Sequence, residues 1–166
     1  MSLFNDKPED TGPIVAPRKL LLWPSDWQDW YWELREHCRA RKLWDDINPN
    51  LPEQETDSFP EPQRPTADEA RALFNKYRHD IKNWTITEAS KILDMDYDHD
   101  RADWIRKEDH VIAIRGWFSV SIERNLYMAT CIELERKNPN YTIRQLVKAL
   151  KAQLAPAQSS VQEKAF

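Results

Sequence analysis

Glycine occurs only twice in 166 residues, at Gly12 and Gly116. Sheets and phosphate-cradling loops need glycine at turns, bulges and places of close backbone approach. A chain this poor in glycine is therefore expected to fold as helices. Hydrophobic residues make up 40% of it, enough for a core and too many for wholesale disorder. The length suits one ordinary domain or two small, tightly connected helical ones.

The apolar spacing supports that class. Residues 1–19 hold Pro8, Pro13 and Pro17 with mixed charge and read as a flexible arm. Ser25 and Gln28 then stand at the spacing of a capping box, and Trp27, Trp30, Tyr31, Leu34 and Cys38 follow at helical intervals. Asp29, Glu33 and Glu36 fall opposite. Trp32 belongs to neither set. Residues 48–65 contain five prolines, which lock φ and remove backbone donors, so they read as a surface linker or extended arm. Thr66 and Glu69 make a second box before Ala70, Leu73, Phe74, Tyr77, Ile81 and Trp84. That helix either continues through Ile86, Ala89 and Leu93 or breaks near Thr85–Thr87.

Residues 94–100, DMDYDHD, read as an acidic turn. The segment from Trp104 to Leu126 is apolar nearly all round, the pattern of a helix in the middle of a bundle. A short helix is expected from Leu126 to Glu135, ended by Asn138-Pro139. A last one follows the Thr142/Gln145 box, with Ile143, Leu146, Val147, Leu150 and Leu154 on one face before Pro156. The fold class is therefore all-α: a compact bundle of about five to seven helices over 20–156. It reads as two halves, 20–95 and 100–156, with an N-terminal arm and a C-terminal tail at 157–166.

No local pattern asks for catalysis, a metal or a cofactor. Asp10-Thr11-Gly12 matches the aspartic-protease tripeptide, but that chemistry needs two rigidly held carboxylates in a strand-rich, glycine-containing frame. Asp94, Asp96, Asp98 and Asp100 alternate like calcium ligands. A calcium loop starting at Asp94 would need glycine at 99 and glutamate at 105, where His99 and Ile105 stand. The four histidines, His37, His79, His99 and His110, have no ligand spacing. Cys38 and Cys131 are far apart and read as reduced thiols of a cytoplasmic or nuclear protein. No basic-then-apolar leader opens the chain, and no apolar run reaches the ~20 residues of a membrane span.

The formal net charge of −4 disfavours generic nucleic-acid binding, which surplus Lys and Arg drive. Eight tryptophans remain to be explained. A base-stacking platform would sit beside a basic groove, whereas the first helix interleaves its aromatics with Asp26, Asp29, Glu33 and Glu36. Core packing accounts for most of them, with Trp27, Trp30, Leu34, Trp44, Phe74, Tyr77, Phe118 and Leu150 as the expected core. Trp32 and Trp117 project off their stripes and are the expected self-association or partner contacts.

The order of these segments resembles the capsid region of the Gag polypeptide of copia-type LTR retrotransposons, fungal ones in particular. The likeness rests on four pieces: the Trp-rich first helix running into Leu43-Trp44-Asp45-Asp46-Ile47-Asn48-Pro49; the Pro-rich connection and the amphipathic helix from Ala67 to Trp84; His110 to Asn125 with Ala113, Ser119, Val120 and Ile122; and Thr142 to Pro156. It spans roughly 20–156. Val147 and Leu154 replace aromatics usual in the family, and its RNA-gripping zinc knuckle is absent. The resemblance implies a non-enzymatic structural protein whose partner is itself, forming oligomers or virus-like shells, as part of an element or as a truncated or domesticated remnant. RNA would be bound by regions outside this chain. The competing reading is a monomeric helical adaptor that binds a partner through 48–65 or its exposed tryptophans.

Overall fold

The computed structural model describes Ile14, Pro17 and residues 19–155. The Asp10-Thr11-Gly12 triplet, most of the expected arm and the 157–166 tail lie outside the described residues. The fold is all-α, as expected: six α-helices and one 3-10 turn at Pro24–Asp26. Among the described residues the only β-type pairing is an isolated parallel bridge, Leu21 to Ile122. The helices are α1 (Trp27–Ala40), α2 (Trp44–Ile47), α3 (Ala67–Tyr77), α4 (Ile86–Ser121), α5 (Arg124–Lys137) and α6 (Ile143–Leu154).

The described residues divide into two units, one of residues 59–108 and one joining those up to 58 with 109–155. The acidic turn expected at 94–100 does not form. Those residues are helical, in the middle of the 36-residue α4. Four aspartates lower helix propensity there, but no glycine or proline interrupts the backbone. Leu93 and Tyr97, four residues apart, are half-buried on one face while the four aspartates stay exposed.

In the larger unit, α1 buries Trp27, Trp30, Leu34 and Cys38, the face read from the sequence. Leu43, Ile47, Ile114, Trp117, Phe118, Ile122 and the inner face of α6 are buried in the same unit, and Trp30 meets Trp117 and Phe118 directly. The expected Ser25/Gln28 box does not form. Pro24 and Ser25 lie in the 3-10 turn, and the buried Asp26 carboxylate instead accepts from the backbone N–H groups of Leu22 (3.2 Å) and Trp23 (2.9 Å). That holds an N-terminal strap, in which Leu21 N–H donates to Ser121 O (2.8 Å) and Glu123 N–H to Leu21 O (2.9 Å). At its other end α1 stops with Lys42 at φ 56°, a left-handed position that a glycine-poor chain fills with lysine. Glu123 caps α5 by accepting from Asn125 and Leu126 N–H, so that helix starts before the expected Leu126. Thr142 and Gln145 form the reciprocal capping box of α6.

The Pro-rich connection has no helix or strand between 48 and 65, yet its first part is fastened down. Arg144, only 4% exposed, donates to the carbonyls of Asp45 and Pro52. Asp57 accepts from Ile143 N–H at the start of α6 (2.9 Å) and pairs with Arg115.

The smaller unit holds α3 and residues 86–108. Thr66 caps α3 by accepting from Glu69 N–H. The helix ends at Tyr77, a turn follows, and Thr85 Oγ accepts from Glu88 N–H (3.2 Å) at the start of α4. The chain therefore breaks near Thr85, and Ile81, expected on the stripe, lies outside α3 and is exposed. Only Ala70 and Ala89 are fully buried here; Phe74, Tyr77, Trp84 and Trp104 are half-buried. Their polar ends find main-chain acceptors: Trp84 Nε1–H donates to Phe74 O (3.1 Å) and Trp104 Nε1–H to Phe59 O (3.0 Å).

Candidate interaction surface

The aromatic cluster of the larger unit shows why most tryptophans point inward. Trp27 stacks on Tyr31 with ring centroids 5.3 Å apart, and Trp30 stacks on Trp117 at 5.4 Å and tilts against Phe118 at 5.8 Å. Trp30 Nε1–H donates to the buried Ser121 Oγ (3.0 Å), so the ring brings its polar edge into the core satisfied. Tyr31 meets the half-buried Trp44 edge-on at 5.8 Å, and the Arg35 guanidinium lies over Trp44 at 5.6 Å.

Trp117 was expected outside this cluster as a contact residue, and that expectation is corrected. It is 1% exposed, held between Trp30, Phe118 and the edge of His37. The physical reason is the direction of α4. Its inner face is His110, Ile114, Trp117, Phe118 and Ser121, which are buried, whereas Ile112 and Val120 are 66% and 43% exposed. The apolar run that reads as a helix enclosed on all sides thus has one face outside.

Trp32, off the stripe, stands on the outside of α1. It is 62% exposed, on the middle of α1 and opposite the buried face. At about 100° per residue, Trp32 forms a ridge with Arg39, one heptad further along α1. Asp29 and Glu36 lie about 40–60° to one side of it, and Gln28 and Arg35 a similar angle to the other. The outer surface of α1 therefore carries two acids on one flank and one arginine beside a glutamine on the other, with an indole between them. The sequence pattern left Trp32 either packed under another segment or held out as a contact; the two flanks follow from the same angular count.

Other places that could carry chemistry are already engaged. A cleft of about 440 Å³ is lined by Glu55, Asp57, Arg115, Glu135 and Tyr141. Burial pushes the Asp57 carboxyl up, against the opposing pull of Ile143 N–H and Arg115, and burial likewise raises the Tyr141 phenol. Asp57 is tied to α6 and Arg115, so the cleft is a seam in the fold. The Cys38 thiol is buried and pushed up to about 12, which leaves it unreactive at neutral pH. Both cysteines are free thiols. Among the described residues no three His, Cys, Asp or Glu side chains gather as metal ligands, and no helix is long and apolar enough to cross a membrane.

Compared with known proteins, the chain matches no family model, no curated protein and no solved structure.

Proposed function

We propose that this chain is a structural protein that associates with further copies of itself, in the manner of the copia-type Gag capsid region it resembles in sequence. The observation that carries the reading is Trp32. A large indole held outward in mid-helix, with its backbone anchored by a packed opposite face, has the properties of an interface anchor. Removing its exposed part from water stabilises a contact by on the order of 3 kcal/mol at ~25 cal/mol per Å². Two such residues across a symmetric contact come close to the ~4–15 kcal/mol cost of bringing two bodies together. The contact is weak by itself, and many weak repeated contacts are what an assembling shell uses. The adaptor reading keeps the exposed side chains of 48–65 and the exposed tryptophans, and it predicts a monomer at every concentration.

The test is light scattering behind size exclusion, from low micromolar to near-millimolar protein at two salt concentrations. Mass rising with concentration supports the reading. A monomer throughout removes self-association as this chain's activity.

A further inference from the structure

We infer that the self-contact is a two-fold pairing of the outer face of α1 with the same face of a second copy, the two helices running parallel and crossing at Trp32. The inference rests on the self-association reading and adds to it the surface, the direction and the pairs.

The charges decide the direction. The Trp32 ridge is 62% exposed, with Asp29 and Glu36 on one flank and Gln28 and Arg35 on the other. Two identical helices can face each other about a two-fold axis in two ways. With the axis perpendicular to the helices they run antiparallel, and each flank meets its own copy. Asp29 of one chain then stands level with Glu36 of the other, twice. With the axis along the helices they run parallel, and each flank meets the opposite one. Glu36 is then level with Arg35 of the second copy and Asp29 with Gln28, each pair occurring twice. The first arrangement sets two pairs of like charges against each other; the second sets one, Arg39 against its own copy on the ridge, and offsets it with two Glu36–Arg35 pairs.

The side chains are available for these roles. Glu36 has only a long pairing with Arg39 at 3.8 Å, and both side chains are about half-exposed. Arg35 rests on Trp44, which fixes its guanidinium at the side of the helix. The buried face of α1 points away from the contact, so this pairing requires no rearrangement of the core.

Sedimentation equilibrium on the full chain tests the arrangement with Trp32→Ala, Glu36→Arg and Arg35→Glu, each checked for helicity. Trp32→Ala is expected to lower the association constant at least about tenfold. Glu36→Arg alone places arginines opposite one another and is expected to lower it by a similar factor, recovering as salt screens the repulsion. Arg35→Glu alone does the converse. An equimolar mixture of these two variants re-forms both pairs and is expected to associate nearly as tightly as the natural chain. If Arg35→Glu loses its fold with its Trp44 contact, the salt response of Glu36→Arg decides.

Association that survives Trp32→Ala and Glu36→Arg unchanged overturns the α1 pairing while leaving self-association standing on another face. A natural chain that never associates overturns the underlying reading. Binding of a single-stranded RNA oligonucleotide that depends on Trp32 and Arg35, without chain–chain association, also overturns the pairing and assigns the surface to nucleic acid.

Discussion

His37 shows at the residue scale how burial sets a pH response. Its ring meets Trp117 edge-on, and burial lowers its pKa below the ordinary 6.5, outweighing the opposing pull of Glu33 at 3.5 Å. The folded state therefore holds His37 neutral, and protonation favours the unfolded chain. The stability this contributes is complete above about pH 6.5 and is lost as the pH falls through the lowered folded value. Urea midpoints should fall from pH about 7.5 to about 5.5, with a smaller fall in His37→Gln. An equal fall in both would place the response elsewhere. Arg144 is the other residue whose burial does structural work. Its guanidinium serves the main-chain carbonyls of Asp45 and Pro52 and so ties the connection to α6. Arg144→Met should cost about 3 kcal/mol in denaturant unfolding and speed amide exchange over 48–58.

Among the elements, α4 departs furthest from its sequence pattern, and the departure has a physical cause. The run DMDYDHD carries the composition of a turn, yet neither glycine nor proline stands within 94–100 to break the helix there. Local propensity lost to the half-buried Leu93, Tyr97 and Trp104 on one side of a continuous helix. By contrast α1, α3 and α6 were legible because their apolar residues keep to a single stripe, and two of the three were legible also in their caps, Thr66 and Thr142. The inward turn of Trp117 was not legible. Ile112 and Val120 make the other side of the helix just as apolar, and periodicity alone cannot say which side the core takes. The exposed side of α4 yields a sharp test at Gly116, where an added Cβ would meet nothing within 4 Å. Gly116→Ala should raise stability by about 0.5–1 kcal/mol, through reduced freedom of the unfolded chain and better helix propensity. A lower melting temperature would show that this helix does not hold an ordinary backbone at 116.

For the whole molecule, the consequence of its division is an uneven distribution of burial. Residues 59–108 contain two fully buried residues, both alanine, while the larger unit buries Trp27, Trp30, Trp117, Phe118 and the inner face of α6. Amide exchange followed by mass spectrometry should therefore show α3 and residues 86–108 exchanging faster than α1, α6 and residues 109–121. Equal protection would contradict the division.

The central claim, that this chain associates with itself, is tested most directly by small-angle X-ray scattering of the natural chain over a concentration series. The account predicts that forward intensity per unit concentration rises with concentration towards at least twice the monomer value. Intensity that stays at the monomer value, or falls through repulsion between chains of net charge −4, would contradict it.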